Sequence, residues 1–285
     1  MSEPAAPRKN ADLPTRFVAA VVMIAVASVV IYLGGWPFRL LVAIAAAVML
    51  FEWGDMHRVP RLWSWLGAFL LAVLLLAGTE YLYPVAEADV TEEEGELVMA
   101  IFQERIDQAW KGIAAAIGLG LLLGIVSRRV TMGWGFVYIA VPAFALLVLS
   151  WLDFAMVFWV MIVTWATDIF AYFAGRSIGG PKLAPRVSPN KTWAGLIGGM
   201  AGAGVCGWLA ARGFELDGPF LWLGAPMGLI AQLGDLYESW AKRRAGIKDS
   251  GSILPGHGGV LDRLDGLLAV AVATLALLMA GALTA

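Results

Sequence analysis

The sequence predicts an all-α membrane protein that crosses a bilayer about nine times. Of its 285 residues, 60% are hydrophobic and only 15% are charged, a composition that ordinary soluble domains of this length do not show. The apolar residues occur in long runs, and a membrane-spanning helix needs about twenty mostly apolar residues. We therefore expect a single integral membrane domain.

The candidate spans begin behind a polar segment, 1–16, which we predict to be a cytoplasmic tail. The apolar run that follows is too long for a removed signal peptide and lacks a small-residue cleavage pattern, so we expect it to be a retained first span. The nine candidate spans are 17–34, 38–53, 62–78, 108–126, 133–150, 155–175, 193–211, 219–237 and 266–284. We divide them into N-terminal transmembrane helices, 17–150, and a C-terminal half, 151–285, that carries the polar clusters.

Basic residues are distributed unevenly between the loops on the two sides of the predicted membrane. With the N-terminus on the cytoplasmic side, sixteen of the 20 Lys and Arg residues fall on that side and four on the other. Cytoplasmic loops of membrane proteins carry such an excess. The sequence therefore predicts a cytoplasmic N-terminus and an extracytoplasmic C-terminus.

The longest predicted extracytoplasmic loop, 79–107, contains the acidic stretch "EADVTEEEGE". Leu97, Val98, Ile101 and Ile106 follow at helical spacing, which predicts an amphipathic helix on the outer surface. Acidic runs are usually solvated, so we expect a structural role for this loop.

Several kinds of site are absent from the sequence. The single cysteine, Cys206, excludes an internal disulfide and a cysteine-ligated zinc site. Neither the GxxxxGK[ST] loop nor a GxGxxG motif after a strand occurs, so phosphate binding of the P-loop or Rossmann kind is not expected.

The first polar cluster is "TDIFAYFAGRSIGGPKLAPRVSPNKTW", which begins inside the sixth span. Asp168 is a carboxylate within an apolar run and should face a partner or water, because a charged group in lipid costs several kcal/mol. Tyr172 lies on the same helix face at i+4. Three prolines prevent a continuous helix in the basic loop that follows, which suits an anionic ligand.

The second and third clusters lie on either side of the last cytoplasmic loop. In "GDLYESWAKRRAGIKD", the four-then-three spacing of Asp235, Ser239 and Lys242 places them on one helix face. In "KDSGSILPGHGGVLDRLDG", Asp262 and Asp265 are three residues apart at the start of the last span. Glycines in this segment could present backbone N–H groups to an anion.

Together, separated carboxylates, basic residues and glycines indicate a site for a metal ion and phosphate. Magnesium is typically held by one or two carboxylates plus substrate phosphates, which suits this spacing. Simpler interpretations remain for each part: Asp168 as a packing partner, Asp235 and Lys242 as a surface ion pair, and His257 as a turn residue. Two acidic residues could also simply favour a helix N-terminus through its dipole. The role of Glu52 and Asp55 in "FEWGDM" is left undetermined.

The second and third clusters resemble the signature of the phosphatidate cytidylyltransferases, also called CDP-diacylglycerol synthases. The matching residues are Ser239, Lys242, Arg243, Lys248, Asp249, the run Pro255-Gly256-His257-Gly258-Gly259, and Asp262-Arg263-Leu264-Asp265. The segments "DIFAYFAGRSIG", "SPNKTWAG" and "GDLYES" are also similar to family segments. The resemblance covers about 164–268, and Ala194 stands where relatives usually have a glutamate.

The resemblance implies transfer of a cytidylyl group from CTP to phosphatidic acid at the bilayer of a bacterial cytoplasmic (inner) membrane. Nucleic acid is not an expected partner, and a homodimer is left open. The implied metal ligands are Asp235, Asp262, Asp265 and Asp168, for one or two magnesium ions, with a monovalent cation also left open. The implied catalytic residues are Asp235, Lys242, Arg243, Lys248, Asp249, His257, Arg263 and Asp265. The implied substrate-binding residues are Tyr172, Lys182, Arg186, Ser188, Lys191, Ser239, Gly256, Gly258 and Gly259.

Two other classes of function are compatible with buried acids in a polytopic protein. An ion-coupled transporter usually shows repeats and midplane charges in both halves, whereas here the polar residues crowd into the second half. A different magnesium-dependent membrane phosphotransferase, of the CDP-alcohol or prenyl type, would show denser aspartate motifs within one helix region.

Overall fold

Helices dominate the computed structural model, which describes residues 24–82, 94–253 and 258–281. In chain order the helices are α1 (Ile24–Leu33), α2 (Gly35–Met56), α3 (Arg61–Leu82), α4 (Glu94–Val126), α5 (Val130–Leu152), α6 (Phe154–Ser177), α7 (Trp193–Gly213), α8 (Gly224–Ala245) and α9 (Leu261–Met279). A short 3-10 helix, Gly218–Leu221, precedes α8. The predicted tail, 1–16, lies outside the described residues.

Five described helices are long and apolar enough to cross a membrane. They are Gly35–Met56, Ile106–Val126, Val130–Leu152, Phe154–Ser177 and Trp193–Gly213. The structure therefore confirms a mainly helical protein with several membrane-spanning candidates. Helices α8 and α9 fall outside this set because charged residues of the second and third clusters lie within them.

Helix α4 starts at Glu94, well before the predicted span at 108–126. Helical backbone over 97–106 agrees with the helix predicted there, but it runs directly into the span instead of forming a separate element. The acidic stretch between 83 and 93 lies outside the described residues.

The basic loop of the first cluster forms a β-hairpin, which the all-α prediction missed. Strand β1 (Lys182–Ala184) pairs antiparallel with β2 (Ser188–Thr192). Prolines exclude a helix here but are tolerated at strand edges. The sequence was therefore compatible with either an irregular loop or a pair of strands. Thr192 then caps α7, its hydroxyl accepting a hydrogen bond from the Gly195 N–H at 3.0 Å.

Small residues let α6, α7, α8 and α9 approach closely. A Cβ placed on Gly198 would lie 2.2 Å from the Ala174 Cβ, and one placed on Gly202 would overlap the Phe170 ring. A Cβ on Gly234 would lie 2.7 Å from the Asp265 carbonyl oxygen, at the crossing of α8 with α9. Close backbone contact through small residues is typical of packing within membranes, and here it brings the polar clusters together.

Candidate functional site

A polar cavity of about 490 Å³ opens where α6, α7 and α8 meet the hairpin. Its lining includes Asp168 and Tyr172 from α6 and Asp235 from α8. Lys191, on β2, also faces it. Residues from the first and second clusters, more than forty positions apart in the sequence, therefore share one cavity.

Lys191 joins the hairpin to α8 inside this cavity. Its ammonium lies 2.7 Å from Asp235 Oδ2 and donates a hydrogen bond to Gln232 Oε1 at 2.8 Å. On the other oxygen, Asp235 Oδ1 accepts a hydrogen bond from the Ser239 hydroxyl at 3.2 Å. The shared face predicted for Asp235 and Ser239 is thus present, and β2 supplies the cation.

A further carboxylate, Asp265 on α9, does not line the cavity but interacts with the carboxylates that do. Asp265 interacts electrostatically with Asp235, Glu238 and Asp168. One oxygen of Asp265 accepts a hydrogen bond from the Gly266 N–H at 2.7 Å. Within the part of the chain that the structure describes, Asp168 makes no hydrogen bond or close ion pair, although Lys191 and Arg263 interact with it at longer range. This group of like charges would be stabilised by a bound cation.

Lys242 binds two carboxylates at once. Its ammonium lies 2.6 Å from Asp262 Oδ1 and 2.5 Å from Glu238 Oε2, and the Glu238 side chain is fully buried. The alternative interpretation of Asp235 and Lys242 as a surface ion pair is therefore wrong, because Asp235 pairs with Lys191 and Lys242 turns towards α9. Glu238 was not among the predicted site residues. Its position four residues before Lys242 could have indicated an ion pair between the two side chains.

The pKa values of these two carboxyls move in opposite directions. Both groups lie outside the five candidate spans. Burial raises the pKa of Glu238 to about 8, against the lowering effect of the Lys242 ammonium. Burial also tends to raise the pKa of Asp262, yet hydrogen bonds from Lys242 and the Gly259 N–H hold it below its usual value. Asp262 is therefore the ionised partner of Lys242 at neutral pH.

Glu52, whose role the sequence left undetermined, binds the start of α9. Its carboxylate accepts hydrogen bonds from the Val260 N–H at 2.9 Å and the Leu261 N–H at 2.8 Å. The Ser250 hydroxyl donates to the same carboxylate at 3.2 Å, while the Ser250 N–H donates to Asp262. A carboxylate in the apolar run of α2 was the available signal, since such residues are functional by default.

The described glycines of "GHGG", Gly258 and Gly259, leave space for the hydrogen bonds between Glu52, Ser250 and the start of α9. A Cβ on Gly259 would lie 2.1 Å from the Ser250 hydroxyl oxygen and 2.7 Å from Glu52 Oε2. Gly258 has a φ of 86° and stands against Asp262 Oδ2. The Gly259 N–H donates to Asp262 at 2.9 Å, so the proposed phosphate nest would compete with a side chain already bound there. Gly256 and His257 lie outside the described residues.

Other predicted residues lie away from the cavity. Lys182 and Arg186 are exposed on the hairpin, and Lys248 and Asp249 are exposed beyond α8. Arg243 donates to the Val187 carbonyl at 3.4 Å and to the Ile247 carbonyl, tying the hairpin to the end of α8. Ser188, on β2, and Arg263, which is exposed on α9, are also absent from the cavity lining. Their assigned roles stay predictions.

The donor set suits magnesium. Within the described ranges no three His, Cys, Asp or Glu side chains form a ready coordination shell. Asp168, Asp235, Asn190 and Gln232 nevertheless bring oxygen donors to one cavity. Magnesium usually keeps several waters and uses one or two carboxylates plus substrate phosphates, so a complete protein shell is not required. Asp262 is the least available ligand, because Lys242 and backbone N–H groups occupy its oxygens.

The comparison with protein families covers nearly the whole chain. The model described as the cytidylyltransferase family matches residues 14–280. The chain belongs to the cytidylyltransferase family. This assignment agrees with the resemblance found in the second and third clusters and extends it into the N-terminal helices.

Curated relatives include proteins named phosphatidate cytidylyltransferase. The one from Brucella abortus (strain 9-941) is 35% identical over 276 residues, which cover 91% of each chain. That from Bacillus subtilis is 32% identical over 265 residues, covering 91% of this chain and 95% of the relative. The one from Pseudomonas aeruginosa is 42% identical over 160 residues, covering 54% of this chain and 58% of the relative.

Proposed function

We propose that the protein transfers the cytidylyl group of CTP to phosphatidic acid, giving CDP-diacylglycerol and pyrophosphate. The observation that carries this proposal is the convergence of Asp168, Asp235 and Lys191 on one polar cavity beside α9. Carboxylates that can hold a cation therefore stand next to an ammonium that can bind phosphate. The substrates are those of the relatives named phosphatidate cytidylyltransferase.

The reaction needs little acid–base chemistry. A lipid phosphate oxygen forms a bond to the α-phosphorus of CTP while the bond from that phosphorus to the bridging oxygen breaks, and pyrophosphate leaves. The attacking phosphate is already anionic near neutral pH, because its second pKa is about 6. The main obstacle is repulsion between two anions, so positioning and neutralisation of charge should dominate the catalysis.

The side chains of the cavity are suited to these tasks. Lys191 is held by Asp235 and Gln232 and can bind a phosphate oxygen without first being ordered. Lys242, bound between Glu238 and Asp262, fixes α8 against α9 and so positions Asp265. We assign Lys191 a direct role and Lys242 a positioning role.

Magnesium fits this site as a proposed cofactor. One or two of the carboxylates of Asp168, Asp235 and Asp265 would hold it, and when bound it would supply positive charge that neutralises the triphosphate and the departing pyrophosphate. The electrostatic interaction of Asp265 with both other aspartates supports this assignment.

An apolar cavity of about 180 Å³ supports a place for one acyl chain of the lipid. It lies between α1, α2, α5, α6 and α9, and its lining includes Leu264, Leu267 and Leu268. Leu264 directly precedes Asp265, so the cavity reaches the level of α9 that carries this carboxylate. A lipid phosphate could then reach the polar cavity while its chain stays in apolar surroundings.

We also propose nine spans, a cytoplasmic N-terminus and an extracytoplasmic C-terminus in the cytoplasmic membrane of a bacterium. Support comes from the uneven distribution of Lys and Arg. The last turns of α6, including Tyr172 and Arg176, line the polar cavity, and under this topology that end of α6 faces the cytoplasm. A homodimer would be tested by the mass of the detergent-solubilised protein in light scattering.

The decisive experiment measures pyrophosphate release from CTP by purified protein in detergent with phosphatidic acid and magnesium. Release that requires both the lipid and CTP is expected. Absence of release with all components present would overturn the proposal. Family membership does not favour an ion-coupled transporter or another type of phosphotransferase, and neither would show this dependence on CTP and phosphatidic acid.

A further inference from the structure

A second cavity, of about 730 Å³, lies on the opposite side of α8. It is formed by the C-terminal ends of α2 and α8 and the first turns of α5. Asp235, Ser239 and Lys242 occupy one face of α8, whereas Tyr237, Trp240 and Arg244 fall about half a turn away, given 3.6 residues per turn. The second cavity is therefore separate from the polar cavity described above.

Aromatic rings form a fixed wall in this second cavity. The rings of Trp53 and His57 stack with centroids 4.4 Å apart, and the Trp53 indole N–H donates to the Thr131 carbonyl at 2.8 Å. The Trp134 indole N–H donates to the Tyr237 hydroxyl. These contacts join α2, α5 and α8, so the shape of the cavity is built by three elements.

Two arginines bring positive charge to this wall. The Arg244 guanidinium lies over the Trp240 ring, 5.0 Å from its centroid. Arg58 lines the cavity with a φ of 52°, a conformation that favours glycine at the end of a helix. None of the residues that line the cavity is Asp or Glu. Within the described part of the chain, neither guanidinium has an ion pair with a carboxylate.

The cavity lies where two candidate membrane spans meet, which is the level at which lipid phosphates are expected. Two candidate spans, α2 and α5, reach the membrane boundary there, one ending and the other beginning. Val130 and Trp134 at its edge are 85% and 52% exposed, so an apolar surface continues from the cavity towards the bilayer. Basic pockets between spanning helices recognise anionic lipid head groups, and arginine binds phosphate through paired N–H donors.

We propose that this cavity binds the phosphate head group of an anionic membrane phospholipid, at a site separate from the reaction. Arg58 and Arg244 bind the phosphate, Trp240 orients the Arg244 guanidinium, and the acyl chains extend past Val130. The proposal does not depend on the proposed transferase activity, because no residue of the polar cavity takes part.

The test counts phospholipid bound to the detergent-purified protein by native mass spectrometry, with phosphatidylglycerol and phosphatidylcholine as probes. Wild-type protein should prefer phosphatidylglycerol by roughly tenfold, or about 1.4 kcal/mol, because the choline group of phosphatidylcholine would bring a further positive charge next to Arg58 and Arg244. Arg58→Gln/Arg244→Gln should lose this preference. Arg61→Gln/Arg128→Gln, which removes two exposed cytoplasmic charges outside the cavity, should keep it.

A further variant separates a built site from general attraction between charges. Trp240→Leu leaves net charge unchanged but removes the ring beneath Arg244, so the preference for phosphatidylglycerol should fall several-fold. If the Trp240→Leu variant or the Arg58→Gln/Arg244→Gln variant prefers phosphatidylglycerol as strongly as the wild type does, the proposal is overturned. Displacement of phosphatidylglycerol by millimolar inorganic phosphate would assign the cavity to a soluble phosphate and overturn it as well.

Discussion

Glu52 lies at the N-terminus of α9, where its Oε2 accepts a hydrogen bond from the Leu261 N–H at 2.8 Å across 209 positions of sequence. The first N–H groups of a helix have no partner within it, and here α2 provides one. This contact fixes where α9 begins. It therefore also fixes the positions of Asp262 and Asp265, which follow within one turn.

Replacing Glu52 should disrupt both stability and activity. Glu52→Ala leaves the half-buried Val260 N–H and the buried Leu261 N–H without their acceptor, which should cost about 3 kcal/mol in the free energy of unfolding. Thermal unfolding in detergent and pyrophosphate release measure the two effects. Asp55→Ala, an exposed carboxylate on the same helix end, is the matched control and should change neither. Equal behaviour of the two variants would contradict the capping role.

Adding a methyl group at Gly259 should have a similar effect through sterics alone. The new Cβ would overlap the Ser250 hydroxyl and approach Glu52, and both contacts hold the start of α9. We expect Gly259→Ala to reduce turnover at least tenfold and to lower the unfolding temperature. Gly213→Ala is the control, because a Cβ there meets nothing within 4 Å. If both variants retain full turnover, the close approach at Gly259 does not contribute to activity.

The sequence predicted those parts of the site that lie on one helix. The spacing of Asp235 and Ser239 placed them correctly on one face of α8, because helical geometry is local. The hairpin was missed, since prolines exclude a helix without specifying a strand. Glu52 could not be assigned, because its partners on α9 come close only through tertiary packing.

Two predicted basic residues of the hairpin also differ in a way that depends on the three-dimensional structure and not on local sequence. Lys191 and Lys182 were equivalent in the sequence as members of a proline-rich basic loop. In the structure, Lys191 enters the cavity beside Asp235, whereas Lys182 stays exposed. The direction of each side chain follows from the register of a strand pair, which the loop composition did not predict.

Lys191 should therefore matter far more than Lys182. Lys191→Met removes an ammonium that is already positioned for a phosphate oxygen, and turnover should fall about a hundredfold, as for the loss of one charge-stabilising donor. Lys182→Met should change turnover less than threefold, because that side chain lies outside the cavity. Rates at saturating CTP measure both. A larger loss of turnover in Lys182→Met than in Lys191→Met would indicate that the substrate binds on the outer face of the hairpin.

Asp265 is the carboxylate that best tests the proposed magnesium site. Asp265→Asn keeps the size of the side chain and removes its charge, so the protein should fold while turnover falls at least a hundredfold. The magnesium concentration for half-maximal residual activity should also rise. Asp217→Asn, an exposed aspartate before the 3-10 helix, is the control. Normal turnover in Asp265→Asn would remove Asp265 from the metal role.

The apolar cavity predicts a dependence on acyl-chain length. Ala45 lines this cavity on α2, and Ala45→Phe would fill much of its 180 Å³. Turnover of phosphatidic acid with long chains should fall several-fold, whereas a lipid with two eight-carbon chains should be affected less, because fewer methylenes need apolar contact. Ile44→Phe changes the neighbouring, 62% exposed position and should leave the ratio of the two rates unchanged. A uniform loss with both lipids in Ala45→Phe would indicate a packing defect, and the acyl chain would then lie elsewhere.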